Sequence, residues 1–533
     1  MKLHRRQFLA ASAAAICLPS LVRAEKNSVL RFMSEEDIPV LDPHWFPGPP
    51  MRINAFAVFD TLYGMKLNTE VSPQMVEGAT TENDGRRWTL TLRPGLTFHD
   101  GKPVLARDCA VSIQRWGTTG RNSLGQALWA ATDEIAALDD RTIVFRLKKP
   151  FPLLPQALGT ATGPLPVIMP ERLARPPYEP FTPVKELIGS GPYRFKADER
   201  VPGERTVFER FSGYRPRESG SPDWTTGPKV AHFERVEWTI ISDSSTAAAA
   251  LETGEQDWWD RVDMDLVRLL SSKEEIKVAA LNPLGQLRAM RLNHLQPPFN
   301  NPAMRRALLG IVNQQDFVSA IVGDDPTLGR TGVGCFPLAS PMATTAGLDV
   351  LTGPRDMNRT RQDVIAAGYK GERVVLIVNA ASPEDRRCLE VGADMMKKVG
   401  LNVDSQVMDT SSWFQRLLKK DPVDHGGWSC VITWWEGNDV LNPGIHPWLR
   451  GNGIAGRGTG WPTSPRLEEL RDAWLDATVL PMEKQIAAEI QVQALRDVTF
   501  IPLGLTYSQT AYRSDLTGVV TGFPPVFWNV RRV

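Results

Sequence analysis

The stretch VSPQMVEGATTENDGRRWTLTLRPGLTFHDGKPVLARDCAVSIQRW, residues 71–116, decides how the chain is read. Trp88, Leu90 and Leu92 alternate with Thr89, Thr91 and Arg93, so one face of a strand meets a core and the other meets water. Pro94-Gly95 suits the central positions of a type II turn, where glycine supplies the positive φ. Leu96-Thr97-Phe98 starts a second strand, and His99-Asp100-Gly101-Lys102-Pro103 is a second turn marked by Asp-Gly. A helix follows with Cys109, Ile113 and Trp116 on one face. His99 and Asp100 tempt a catalytic reading, but adjacent side chains on a strand or turn point apart, which misplaces them as base and orienter. They read as turn residues.

Outward from this stretch, strand and helix patterns alternate, punctuated by 42 Gly and 42 Pro, with no internal repeat or low-complexity tract. RTIVFRLKKPFP, residues 141–152, is a strand ended by Pro150. Residues 301–322 read as one helix opened at Asn301 with Pro302 in its first position, where the missing N–H costs nothing. Residues 371–403 give a buried strand, a loop, an amphipathic helix from about Pro383 to Val399, and Gly400 as its stop. Such alternation predicts α/β domains.

The N-terminus, MKLHRRQFLAASAAAICLPSLVRAEK, joins a basic start to an apolar run from Phe8 to Leu21 and a small-residue cleavage pattern ending at Ala24. That is an export signal, too short to span a membrane, and Arg5-Arg6-Gln7-Phe8-Leu9 resembles the twin-arginine type. Cys17 follows Ile16, which does not suit a lipoprotein anchor. Cleavage after Ala24 leaves 509 of 533 residues, with 57 Lys and Arg against 61 Asp and Glu, a net charge near −4. This excludes a nucleic-acid or anionic-membrane footprint. The expected product is a soluble periplasmic protein without a membrane anchor. With 42% hydrophobic and 23% charged residues, the length implies two or three domains. Cys109, Cys335, Cys388 and Cys430 are too widely spaced for their pairing to be read.

Enzyme constellations are missing. GNGIAGRGTG, residues 451–460, contains a literal GxGxxG, but no strand and helix bracket it as a dinucleotide site requires. There is no phosphate loop, GxSxG elbow, HExxH or CxxC, and the seven His show no ligand spacing. No catalytic residue, metal or cofactor is therefore expected. Aromatic residues are more informative. Six of the 16 Trp fall between Trp413 and Trp461, around WSCVITWWEGNDVLNPG, read as a strand from Trp428 to Thr433 that runs into a polar loop. If that strand continues, Trp434 and Trp435 face opposite sides, and at most one of them is core. Large flat rings with one polar handle suit a cleft that holds a small organic solute.

The opening stretch also resembles the signature region of the large peptide/nickel type of substrate-binding protein of ABC importers, the oligopeptide- and dipeptide-binding family (solute-binding family 5). Further pieces match in family order: LDPHW at 41–45, VFDTLYG at 58–64, GSGPYRF at 189–195, SDSSTAAAALETGEQD at 242–257, PPFNNPAMRRALLGIVNQQDFV at 297–318 and IPLG at 501–504. One departure is Leu105, where relatives carry a helix-capping Thr or Ser.

The resemblance implies a two-lobed periplasmic binding fold of the large three-subdomain type, with mixed sheets. The first lobe would comprise residues 25–59, 187–283 and 498–533, with subdomain 60–186 inserted in it. The second lobe would be 284–497, and the two chain crossings at 284 and 498 would form a hinge. It implies a monomeric binding component that captures a peptide or other amine-bearing solute and delivers it to an ABC permease. Relatives place a carboxylate after the corresponding strand to hold a peptide's ammonium. Asp439 best matches it, although Val440-Leu441 replace Pro-Asp and Glu436 is a rival acid. Trp413, Trp434 and Trp435 join it as expected cleft residues. His44 and Trp45 follow the first strand, where the family's N-terminal segment lines the site. One of Trp258 and Trp259 is expected to enter the cleft, with the other packed beneath.

Overall fold

The computed structural model describes residues 28–44, 48–119, 123–175, 186–280, 282–456, 458–520 and 522–533. The export segment and Trp45 lie outside the described residues.

Three sheets organise the chain. In the first lobe, seven strands run in the order Ile276–Ala280, Gln509–Arg513, Trp258–Val262, Val29–Ser34, Arg235–Ile240, Arg205–Arg210 and Tyr193–Phe195. Val29–Ser34 pairs in parallel with both neighbours, and the other pairings are antiparallel. The second lobe has six strands in the order Gly329–Arg330, Ile501–Thr506, Gln286–Leu292, Cys430–Glu436, Arg373–Asn379 and Asn402–Met408. Arg373–Asn379 is parallel to both Cys430–Glu436 and Asn402–Met408. The inserted subdomain is an antiparallel sheet of Val76–Glu82, Arg87–Leu92, Thr142–Leu147 and Thr132–Ala137.

The chain leaves the first-lobe sheet at Ala280 and enters the second-lobe sheet at Gln286. The return does not occur at 498. The helix Leu480–Asp497 ends there, with Val498 in the left-handed region, but Ile501–Thr506 still pairs with Gln286–Leu292. The chain changes lobe between Thr506 and Gln509. The end of a helix was mistaken for the end of a lobe.

In the opening stretch, Leu90 and Leu92 are buried and Gly95 has φ +76. The helix Ala106–Thr119 buries Cys109, Ile113 and Trp116, and the Trp116 indole donates to the Pro164 carbonyl at 2.8 Å. Leu105 offers no cap, so Asp108 supplies the carboxylate that accepts the Leu105 N–H at 2.9 Å, the acidic half of a capping box. Leu96-Thr97-Phe98 is not a strand. It closes a small loop through Thr97–Pro103 pairing and a Phe98 N–H to Lys102 bond of 2.8 Å. The helix expected over 301–322 is two, Pro302–Leu309 and Gln314–Val322, because Asn313 caps the second by accepting the Gln315 N–H. Helix Pro383–Lys398 starts at Ser382, and Gly400 has φ +92. The four cysteines Cys109, Cys335, Cys388 and Cys430 are free and buried.

His99 joins two motifs of the sequence. Its Nε2 lies 3.1 Å from the Gly191 carbonyl, and Nδ1 lies 3.4 Å from the Gly189 amide. Burial lowers its pKa to about 4, so the ring stays neutral. The Gly189-Ser190-Gly191 loop in turn packs on the end of helix Pro49–Val58, with the Gly191 N–H on the Val58 carbonyl at 2.9 Å. A Cβ at Gly189 or Gly191 would sit 2.0 or 2.7 Å from Val58 backbone atoms. Gly191→Ala should therefore lower stability by about 1–3 kcal/mol, the usual range for overpacking, measured as a lower urea midpoint at unchanged m-value.

Candidate ligand-binding cleft

The strand ends set the position of the site. Val29–Ser34 is followed by Glu35 and Glu36, and its parallel neighbour Trp258–Val262 brings in Asp260 and Arg261. From the other lobe, Arg373–Asn379 leads to Ser382 and Glu384, and its parallel neighbour Cys430–Glu436 carries Trp434 and Trp435. These carboxyl ends meet at one cavity of about 1140 Å³ between the lobes, the location favoured in open α/β sheets. At ~30 Å³ per water, that is room for roughly forty waters.

Asp439 reaches this cavity, but its carboxylate is already held. Arg52, from helix Pro49–Val58, donates to both oxygens at 3.1 and 2.9 Å, and the Gly163 N–H adds a 3.4 Å bond. Arg52 and Asp439 are 2% and 4% exposed. Burial raises the Asp439 pKa while Arg52 opposes that rise. An acid bound in this way is a bridge between lobes, and the expected role as the free receptor of an ammonium does not fit it. Glu436 lies beneath the cavity, where its carboxylate accepts from Arg261 at 3.3 Å and Gln286 at 2.7 Å, and from Asn282.

The strand runs through Trp434 and Trp435, so the two rings take opposite faces. Both are half-buried and both line the cavity. Trp434 has the Arg261 guanidinium 4.6 Å and the Arg288 guanidinium 5.7 Å from its ring centre, a cation–π arrangement that fixes the indole. Arg288 is itself bound to Asp385 at 3.0 Å, and burial pushes Asp385 up to about 7 even so. Trp413 also lines the cavity.

His44 and Trp258 do not. His44 is buried in a cluster with Asp42 and Arg115, its Nδ1 3.0 Å from the Arg115 guanidinium. Trp258 and Trp259 are both fully buried, on opposite faces of the first-lobe sheet. The Trp258 indole donates to Thr510 Oγ1 at 2.8 Å. Both faces of that sheet are covered, so neither ring enters the cleft, and the residues just after them, Asp260 and Arg261, do.

Sequence reading missed Arg52, Glu35, Asp260, Arg261, Arg291, Trp448 and Trp461, all of which line the cavity. The available signal was position for Glu35, which sits just past the carboxyl end of strand Val29–Ser34, whereas Asp260 lies at an irregularity inside strand Trp258–Val262. The acidic wall is strained electrostatically. Burial, then the Asp260 charge, raises Glu35 to about 7, and burial raises Asp260 to about 7. Asp260 Oδ1 is buried without a partner. Among the described residues no three His, Cys, Asp or Glu side chains converge as a metal cage.

This is a two-lobed binding protein with a cavity between the lobes. Residues 70–455 match the model of bacterial extracellular solute-binding proteins, family 5, and the chain belongs to that family. It is 34% identical over 528 residues to a probable peptide ABC transporter periplasmic-binding protein of Sinorhizobium fredii, covering 98% of this chain and 97% of that one. It is 26% identical over 454 residues to a glutathione-binding protein of Pectobacterium atrosepticum, covering 83% and 82% of the two chains. A periplasmic binding protein from Helicobacter pylori, solved with the peptide STSA, shares the fold at TM-score 0.78 and 20% identity, covering 96% of this chain and 99% of that one.

Among the described residues five ion pairs cross between the lobes: Arg52–Asp439, Arg261–Glu436, Arg387–Asp263, Arg387–Asp265 and Lys149–Asp476. The last three are more exposed pairs of small worth, and Arg52–Asp439 is the pair with both partners buried. Arg52→Gln should leave an unpaired carboxylate in the closed form and shift the unliganded protein toward an open one. The measurement is small-angle scattering, with a larger radius of gyration expected and a ligand affinity reduced by the fraction of closed state lost.

Proposed function

We propose that this protein is the periplasmic binding component of an ABC importer that captures an amine-bearing, peptide-like solute. It would be exported by the twin-arginine route, cleaved after Ala24, act as a monomer without enzymatic turnover, and deliver its ligand to a membrane permease. The observation that carries the reading is the cavity wall of Glu35, Glu36, Asp260 and Glu384, whose one cation among the described residues, Arg261, is already committed to Glu436. An ammonium group entering there restores charge balance and forms charge-assisted hydrogen bonds. In this reading the ammonium sits on Glu35 and Asp260, with Trp434 as its aromatic floor, and Asp439 serves closure through Arg52.

The first test is native mass spectrometry of the protein purified from cells. A released amine-bearing mass, or a ladder of peptide masses, supports the reading. If no adduct is released and no peptide shifts the melting temperature, the reading fails.

The acidic pair makes binding pH-dependent. Glu35 and Asp260 take up protons as pH falls through about 7, with Glu36, Asp263 and Glu384 as neighbouring acids and Arg261 as neighbouring base. A protonated carboxyl cannot pair with ammonium, so affinity should fall as pH drops from 7.5 to 5.5, by up to about tenfold per proton and pH unit. Calorimetric titration should show this slope in the wild type and a flatter one in Glu35→Gln, together with at least about tenfold weaker binding, 1.4 kcal/mol. The unliganded protein behaves oppositely. A carboxyl raised on folding contributes stability below its unfolded pKa and loses it as pH rises through about 7, so these two groups favour the empty protein at pH 5.5 over pH 8.

A further inference from the structure

The cavity also holds a positive charge that no acid among the described residues balances. Arg291 lies on strand Gln286–Leu292 opposite Val431, is 6% exposed and lines the cavity. Its two terminal nitrogens donate to Thr459, one to Oγ1 and one to the carbonyl. Its Nε is buried with no partner. Arg52, Arg115, Arg288 and Arg471 are comparably buried, and each faces a carboxylate. Arg305 is also buried without an ion pair, but it spends its guanidinium on the Phe299 and Asp497 carbonyls and does not line the cavity. Burial pushes the Arg291 pKa down to about 9 with no acid to hold it up.

The surroundings of Arg291 suit an anion. Trp448 and Trp461 wall this end of the cavity, and Lys420 and Arg450 line it too. Lys420 Nζ lies 5.9 Å from the Trp461 ring centre. Arg450 shares Glu468 with Arg471, at 3.8 and 3.1 Å. A guanidinium with free N–H capacity in a water-poor recess is the side chain that best matches a planar carboxylate.

We propose that this end of the cavity is an anion subsite in which Arg291 receives a carboxylate of the bound solute between Trp448 and Trp461. The proposal rests on the cavity being the solute site and narrows the ligand. Arg291 stands three residues along its strand from Arg288, so the two side chains leave by opposite faces of the sheet, and Arg291 shares its face with Trp435, not with Trp434. A solute with its ammonium on Glu35 and Asp260 and its carboxylate on Arg291 is a zwitterion.

The test compares wild type with Arg291→Met and Arg291→Gln, each freed of ligand by dialysis from denaturant. Calorimetry uses trialanine and trialanine amide, which differ only in the terminal carboxylate. In the wild type the amide should bind at least about tenfold more weakly, and in Arg291→Gln the two should bind alike. If the wild type binds both equally, the anion subsite is overturned while the peptide reading stands. A second measurement needs no ligand. Replacing an unbalanced buried charge with an apolar side chain of similar length relieves its desolvation, so unliganded Arg291→Met should melt higher than the wild type. A lower melting temperature would mean that Arg291 serves structure through Thr459, and would overturn the proposal. If neither probe binds, the peptide reading fails, and the melting comparison alone decides the anion subsite.

Discussion

The Asp439 carboxylate is where the three parts of the chain meet. Arg52 reaches it from the first lobe, the Gly163 amide from the inserted subdomain, and the acid itself stands just past the central strand of the second lobe. Burying either charge alone would cost several kcal/mol, and the bidentate geometry is what makes the buried pair tolerable. That requirement propagates outward. Arg52 is correctly aimed only if helix Pro49–Val58 is fixed, and the helix is fixed because Gly189-Ser190-Gly191 can press against its last carbonyl. The loop is held in turn by the neutral imidazole of His99. A turn that at first looks catalytic is thus a strut for the helix that closes the cleft.

The charged groups of the protein divide by what they face. Along the cavity, Glu35 and Asp260 rise toward neutral pH and have no ion pair among the described residues. Elsewhere, buried imidazoles and thiols are held in their neutral forms. Burial lowers His294 and His446 to about 3, and burial raises the Cys430 and Cys335 thiols. A nucleophile or general base needs a pKa matched to its task and a partner aimed at it. The perturbed groups that meet solvent-sized space are instead a wall of acids, one unpaired arginine and flat indole faces. That inventory recognises charge and shape.

How far the sequence revealed this depended on the range of each interaction. The strand carrying Trp434 and Trp435, the helix capped by Ser382 and the buried face of Cys109, Ile113 and Trp116 follow from local periodicity. Trp434, Trp435 and Asp439 line the cavity because they lie on or just past one strand that runs to it, and Trp413 lines it from helix Thr410–Leu417. The pairing that redefines Asp439 joins residues 387 apart, and no local pattern encodes it. Trp258 failed for a related reason. Neighbouring tryptophans on a strand leave by opposite faces, but only the assembled sheet shows that both faces are covered, by the clusters around Phe32 and around Leu251. The return to the first lobe was misplaced because a helix end is visible in sequence, whereas the partner of strand Ile501–Thr506 is not.

Arg52 and Arg291 show why the molecule uses two buried guanidiniums differently. A pair internal to the protein biases closure whether or not ligand is present, and a ligand shifts the equilibrium only by its differential affinity for the closed form. Carrying closure from 1:99 to 99:1 needs about 5.5 kcal/mol of such difference. If Arg52–Asp439 supplied all of it, the lobes would shut on an empty cavity and the solute would add nothing. If it supplied none, the ligand would have to do all the work, at a cost in apparent affinity. Leaving Glu35, Asp260 and Arg291 unbalanced keeps the empty closed state above its minimum. A zwitterion that reaches both then removes two unfavourable burials at once, so closing becomes most favourable when both of its ends are in place.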